Sequence, residues 1–221
     1  MSNRFLLLAA LATAILLVGC SAHKVKSYET SGFLTNYAGF QVGGENQPNL
    51  VYINPNLNLK PYNKILIDHV VVYLNPKSKN KGIAPEQLVE LTNHFHKALV
   101  KALQDRHTIV SGPGKGVLRI RTAITDLEPG SPITGAMSTI IPVGAAISII
   151  KKATTDSNMA VGRASVEIEL VDSLSGVRLA AAIDRREGGK KIISGKWTAI
   201  EEAFDYWAKN LSAFLDKQKA L

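Results

Sequence analysis

Apolar residues in this chain recur at every second position in some stretches and at every third or fourth in others. In "GVLRIRTAITD" (116–126) Leu118, Ile120 and Thr122 face one way and Arg119, Arg121 and Ala123 the other, as a pleated strand requires. In "ASVEIELVDSLSGVRLAAAIDR" (164–185) Val166, Ile168 and Leu170 oppose Glu167 and Glu169. Asp172 to Gly176 then supplies turn residues, and Val177, Leu179, Ala181 and Ile183 alternate again, which predicts a hairpin. "KILIDHVVVY" (64–73) reads as one buried strand, and "HTIVSG" (107–112) as a short strand or its approach. The helical period appears twice. Pro85 and Glu86 open a helix whose Leu88, Leu91, Phe95, Leu99, Ala102 and Leu103 share a face. Near the C-terminus Thr198 and Glu201 have capping-box spacing. Behind them run Ile200, Ala203, Phe204, Trp207, Leu211, Phe214 and Leu215. The simplest solution is α+β: two layers, a mostly antiparallel sheet with the helices packed on one face and the other face wet.

Ahead of Lys64 the periodicity fades. Residues 43–63 are crowded with Asn, Gly and Pro, which favour turns and extended backbone. Within "SGFLTNYAGF" (31–40), Phe33, Leu34, Tyr37 and Phe40 suit an apolar plug that docks this segment on the domain. The expected organisation is a signal peptide at 1–19, a tether and irregular docking segment at 20–63, and a single α+β domain at 64–221.

The first residues change the picture most. Arg4 precedes an apolar run from Phe5 to Val18, too short to span a bilayer comfortably. It ends in Leu17-Val18-Gly19-Cys20, which resembles the bacterial lipobox, and Cys20 is the only cysteine in the chain. In lipobox proteins the thiol carries diacylglycerol, cleavage falls before the cysteine, and its new amino group is acylated. Each buried methylene is worth about 0.8 kcal/mol, so several acyl chains anchor durably. Cys20 is therefore the expected lipidation site. Ser21, rather than Asp, favours sorting to the inner leaflet of the outer membrane, on the periplasmic side. One cysteine also excludes an intrachain disulfide.

Formal net charge is +8; removing residues 1–19 takes away Arg4 alone and leaves +7. A basic exported protein points to anionic neighbours such as an envelope protein or cell-wall carboxylates, and not to nucleic acid.

Residues 129–152, "PGSPITGAMSTIIPVGAAISIIKK", carry no charge from Pro129 to Ile150. Pro142, Gly135 and Gly144 argue against a spanning helix. A buried helical hairpin is the expected form. The alternative is a segment that inserts into membrane or packs on identical copies, making the protein a homo-oligomeric export or pore component.

Chemistry is sparse. Glu167 and Glu169 lie about 7 Å apart by strand geometry and project in parallel, which does not flank a glycosidic bond. Paired across strands with Arg119 and Arg121, they would form an exposed ladder whose neutralisation leaves the fold nearly intact. His23, His69, His94, His96 and His107 show no metal-ligand spacing, since His94 and His96 point apart on a helix. "SGPGKG" (111–116) precedes a strand and reads as a turn, not a phosphate loop. No cofactor or catalytic residue is indicated. An enzyme acting on envelope polymers is the least favoured class.

"SGFLTNY", "YNKILIDHV", "VLRIRTAITD" and "ASVEIELVDSLSGVRLAAAIDRR" together resemble a family of uncharacterised Gram-negative lipoproteins, domain of unknown function 3313. The likeness covers nearly all of the chain beyond the signal. It implies the envelope address and supplies no activity. The expected function is a lipid-anchored, non-enzymatic periplasmic binding or assembly module.

Overall fold

The structure, a computed structural model, describes residues 23–24, 29–78, 82–130, 162–187 and 195–220. Its elements follow as β1 (His23–Lys24), β2 (Gln41–Val42), β3 (Leu50–Ile53), β4 (Lys64–Ile67), β5 (Val71–Val72), α1 (Pro85–Leu103), β6 (Thr108–Val110), β7 (Val117–Glu128), β8 (Arg163–Asp172), β9 (Arg178–Glu187) and α2 (Thr198–Ala220). Among the described residues all nine strands join one sheet, in the order β2-β3-β9-β8-β7-β4-β6. β1 adds to β9 on the edge it shares with β3, and β5 to β7 on the edge it shares with β4. The ladders from β2 through β9 and β8 to β7 are antiparallel, while β4, β5 and β6 join in parallel. The fold is thus α+β with a mostly antiparallel sheet, as the periodicity predicts.

Both helices lie on one face. Leu91, Phe95, Leu99 and Leu103 of α1 and Ile200, Ala203, Phe204, Trp207 and Leu215 of α2 are buried against Ile65, Ile67, Leu118, Ile120, Val166, Ile168 and Leu170 of the sheet. The Phe95 and Phe204 rings stack at 4.5 Å and 3°, locking the helices together above the strands. Pro85 stands in the first turn of α1, where its missing N–H leaves no gap in the helical bonding. The first bonds of α2 run from the Ile200 and Glu201 N–H groups to the Trp197 carbonyl, one residue ahead of the cap that Thr198 suggests.

Three local departures matter. The stretch 64–73 is two strands rather than one. From Ile67 to Val71 the chain advances four residues against three on β7, between the partners Ile120 and Ala123. That extra residue breaks the ladder and turns Asp68 toward β7, where Arg119 takes its carboxylate. A second irregularity between Ile124 and Asp126 of β7 keeps both Ile124 and Leu127 in the core. Third, the turn-rich stretch before Lys64 conceals β3, which extends the sheet beside β9.

The hairpin between β8 and β9 closes on Asp172. Its carboxylate accepts from the Ser175 and Leu174 N–H groups at 2.7 and 3.1 Å and from the Tyr62 hydroxyl at 3.0 Å. Those bonds hold the Asp172 carboxyl below its ordinary range, the Ser175 N–H foremost. Burial and Asp172 push the Tyr62 hydroxyl up to about 12. Residues 111–116 form bends and a turn before β7, as expected, with Gly116 at φ +70° and the Pro61 carbonyl 2.9 Å from where a Cβ would stand.

The histidines are scattered. His94 lies 3.9 and 4.0 Å from Glu201 and Asp205, His96 stacks on His69 at 5.0 Å, and His107 sits 3.2 Å from the Lys219 amine. Burial lowers the pKa of His96, helped by His69, and that of His107, helped by Lys219. The folded state therefore favours the neutral form of both rings. The stability this confers is complete above the ordinary value of 6.5 and drains away as pH falls below it. Urea midpoints should drop between about pH 7.5 and about pH 5.5, above the range in which most carboxylates titrate. A His96→Leu/His107→Leu double variant should flatten the drop. Equal midpoints in the parent would contradict it.

Candidate functional site

The sheet face away from the helices is not wet throughout. Residues 31–40 lie across it, and Phe33, Leu34, Tyr37 and Phe40 pack on Leu50, Tyr52, Ala181 and Ile183. The plug expected from their spacing is present. Beneath it, β7, β8 and β9 present Arg119, Arg121, Glu167, Glu169 and Arg178, because strand alternation sends them opposite to the apolar residues of the core.

The registers decide which of these meet. Arg121 stands opposite Glu169, but Arg119 stands opposite Val171 and Glu167 opposite Ala123. The predicted ladder therefore holds at one rung only. Arg119 turns outward to Asp68 instead, with Nε 2.9 Å from Oδ1 and Nη2 2.8 Å from Oδ2. This bidentate contact holds the guanidinium charged, its pKa raised by Asp68.

Among the described residues Glu167 meets no arginine. Its side chain is wholly buried and accepts from the Ser31 N–H at 2.7 Å, the Leu34 N–H at 3.3 Å and the Tyr37 hydroxyl at 2.8 Å. One carboxylate thus satisfies three donors of the plug. Tyr37 in turn accepts from the Gly32 N–H at 2.8 Å. Burial first, and then Glu167, raises its hydroxyl pKa.

Glu169 is also buried, and its two oxygens accept from Arg121 Nη1 and from Arg178 Nε, the latter at 2.8 Å. Arg178 continues to the carbonyls of Asn36 at 2.6 Å and Leu34 at 2.5 Å. The exposed placement on which the expected tolerance to neutralising the two glutamates rests is overturned. Both are buried acceptors that hold the 31–40 segment in place, directly or through Arg178.

Beside the docked segment opens a cleft of about 470 Å³. Thr35, Asn36 and Ala38 form one wall, and Arg119, Arg121, Val171, Arg178 and Tyr52 line the rest, with Glu169 at the floor. Arg121 also stacks over Phe33, its guanidinium carbon 5.1 Å from the ring centre. Thr35 has φ +61°, a conformation a β-branched residue rarely adopts, stabilised by its hydroxyl donating to the Leu34 carbonyl at 2.6 Å. Three guanidinium groups and the Glu169 carboxylate line the cleft, Asp68 pairs Arg119 from beside it, and the Glu167 carboxylate is buried next to it. Glu167 is wholly buried beneath the plug, and Glu169 lies at the cleft floor. Sequence reasoning singled out Arg119, Arg121 and Glu169 but missed Arg178 and Asp68. Arg178 follows a hairpin turn, where alternation resumes with no sign of what lies above.

On the helix side a second opening, about 410 Å³, runs between α2 and the β3–β9 edge. It is apolar, lined by Val51, Ile53, Ala180, Tyr206, Leu211 and Phe214 among others, because the alanines of β9 leave the sheet low there. Cys20 and residues 131–152 lie outside the described residues, so the lipidation site and most of the uncharged segment have no place in this geometry. Among the described residues no helix is long and apolar enough to cross a membrane.

A family model described as "Protein of unknown function (DUF3313)" matches residues 29–211. Among solved structures, the chain is similar to the PelC dodecamer of Paraburkholderia phytofirmans, with 10% identity, 73% of this chain and 94% of that one covered, and a TM-score of 0.40. A DUF330 protein of Xanthomonas campestris gives 11%, 76% and 93%, with a TM-score of 0.39. A DUF4136 family protein of Bacteroides thetaiotaomicron gives 9%, 83% and 98%, with a TM-score of 0.34. No curated protein matches.

Proposed function

Since the chain belongs to the DUF3313 family of proteins of unknown function, we propose, from its residues and geometry, a non-enzymatic binding module tethered to the inner leaflet of the outer membrane through acylated Cys20. The observation that carries the binding reading is the arginine cleft. Its cations are fixed by the buried Glu169, by Asp68 and by carbonyls of the docked segment, so they are positioned before any ligand arrives. Its one carboxylate at the floor is consumed by two arginines, which leaves it a poor general acid or base. Such a site grips and orients. The excess of basic residues suits an anionic envelope partner.

A photoreactive residue at Ala38, exposed on the cleft wall, should capture a discrete envelope component in intact cells. The same residue at Val89, exposed on α1, should not. Equal capture at both positions would count against the cleft as the binding site.

The address rests on the Cys20 lipobox. Cys20→Ser should abolish acyl labelling and leave uncleaved precursor or mislocalised protein. Unchanged labelling and membrane fractionation would dispose of the anchor. The alternative, self-association, is favoured by the apolar groove beside α2, and sedimentation of the detergent-solubilised full chain separates it from a monomeric binder.

A further inference from the structure

Resting on the binding-module reading, we infer that the cleft takes its ligand through a singly charged oxyanion, held by Arg119 and Arg121. The donor inventory leads there. Arg178 has a partner on each of its three nitrogens, Nε on Glu169 and both terminal nitrogens on backbone carbonyls of the docked segment. Arg119 spends Nε and Nη2 on Asp68, and Arg121 spends Nη1 on Glu169. Among the described residues, Nη1 of Arg119 and Nε and Nη2 of Arg121 have no hydrogen-bond partner. These two arginines stand two apart on β7, on the same face, with Cα atoms about 7 Å apart. Both arginines line the one cleft, and uncommitted donors on two neighbouring guanidinium groups suit the two oxygens of one carboxylate or of one phosphodiester.

Charge sets the valence. Counting Glu169, Asp68 and the buried Glu167 beside them, the three guanidinium groups already face three carboxylates, so a monoanion adds the smaller excess of negative charge. A dianion would bring a second negative charge toward Glu169 and Asp68, which already occupy the cationic sites. The space beyond the arginines, within about 470 Å³, is lined by Thr35, Asn36, Tyr52 and Val171. It has room for a polar ligand several bonds long behind the charged group. Carboxylate and phosphodiester share this chemistry, and they come from different sources: a peptide or sugar acid in the first case, a lipid-type headgroup in the second.

The test is calorimetric titration of the detergent-solubilised full chain with four probes: N-acetyl-alanyl-alanine, its C-terminal amide, dimethyl phosphate and methyl phosphate. The expected result is binding of the free carboxylate, of dimethyl phosphate, or of both, with no binding of the amide. Whichever monoanion binds more tightly names the source. Methyl phosphate, a dianion in most molecules above about pH 6, should bind more weakly than dimethyl phosphate. Arg119→Gln should weaken the monoanion about tenfold while leaving the circular dichroism spectrum unchanged. Arg121→Gln serves as a second variant should the first not fold. Equal binding of the amide, tighter binding of the dianion, no binding of either monoanion, or full affinity in the folded arginine variants would each overturn the inference. If capture at Ala38 succeeds while this titration fails, the oxyanion falls and the binding module stands. If capture fails as well, both fall.

Discussion

Replacing Trp207 with alanine should lower stability by about 3–5 kcal/mol, the usual cost of truncating a buried aromatic. Trp207 is buried on the α2 stripe, 5.8 Å from the Phe95 ring centre and 6.1 Å from that of Phe204. The cost extends beyond packing. The indole N–H donates to Asp184 Oδ2 at 2.8 Å, and Asp184 is itself buried. The same carboxylate accepts from Arg186 Nε at 2.6 Å and from the Asn49 N–H at 3.0 Å. Trp207 therefore joins the helix layer to a buried polar centre on β9, and through it to Asn49, the residue that precedes β3. A typical domain has about 5–15 kcal/mol in all, so the loss is a large fraction. Trp207→Phe separates the two parts. It keeps most of the ring contact and removes the donor, and should cost about 1–3 kcal/mol. Urea denaturation followed by circular dichroism reads both. A Trp207→Ala protein with the parent's midpoint would mean that α2 does not seal the core.

Glu167→Ala should be comparably severe and differently distributed. Two N–H groups and a hydroxyl lose their common acceptor under a buried surface, at about 1–3 kcal/mol each before relaxation. Part of that is recovered if residues 31–40 lift away and are hydrated, so a net loss of about 3 kcal/mol is expected. Lifting has its own signature. Phe33, Tyr37 and Phe40 become accessible, and limited chymotrypsin digestion should cut among them well before it cuts the rest of the domain. Glu167→Gln retains one acceptor and should fall between parent and alanine variant in both measurements. Parent-like stability together with parent-like resistance to chymotrypsin would show that the plug is held by its apolar contacts alone.

The elements written in clear alternation or helical period were legible in the sequence. β7, the β8–β9 hairpin, α1 behind Pro85 and the apolar stripe of α2 stand where their side-chain spacing puts them. The plug was legible as well, because four large apolar residues in ten demand a cover. β3 was not, since it lies among Asn, Pro and Gly, and its strand form depends on pairing with the alanines of β9. The break within 64–73 was equally hidden. Every residue there favours a strand, and only the register against β7 introduces the extra position. At the cleft, alternation gave the face of Arg119, Arg121, Glu167 and Glu169 but not the stagger between strands. A shift along the ladder separates an exposed ion-pair row from one buried carboxylate clip and one arginine cleft. Arg178 and Asp68 joined the site through tertiary placement, which a single sequence does not encode locally.

The clip on Glu167 also sets an order of events. Ser31 lies 136 residues before its acceptor, and Leu34 lies 144 residues before Arg178. Contacts so distant along the chain form late, since the long loop between them must close first. A ribosome delivers residues 31–40 early and the hairpin that receives them near the end. Throughout synthesis Phe33, Leu34, Tyr37 and Phe40 therefore have no surface to cover, and they form an apolar stretch exposed to any holding chaperone. The cleft, one wall of which is this segment, is completed only when the last strands are in place.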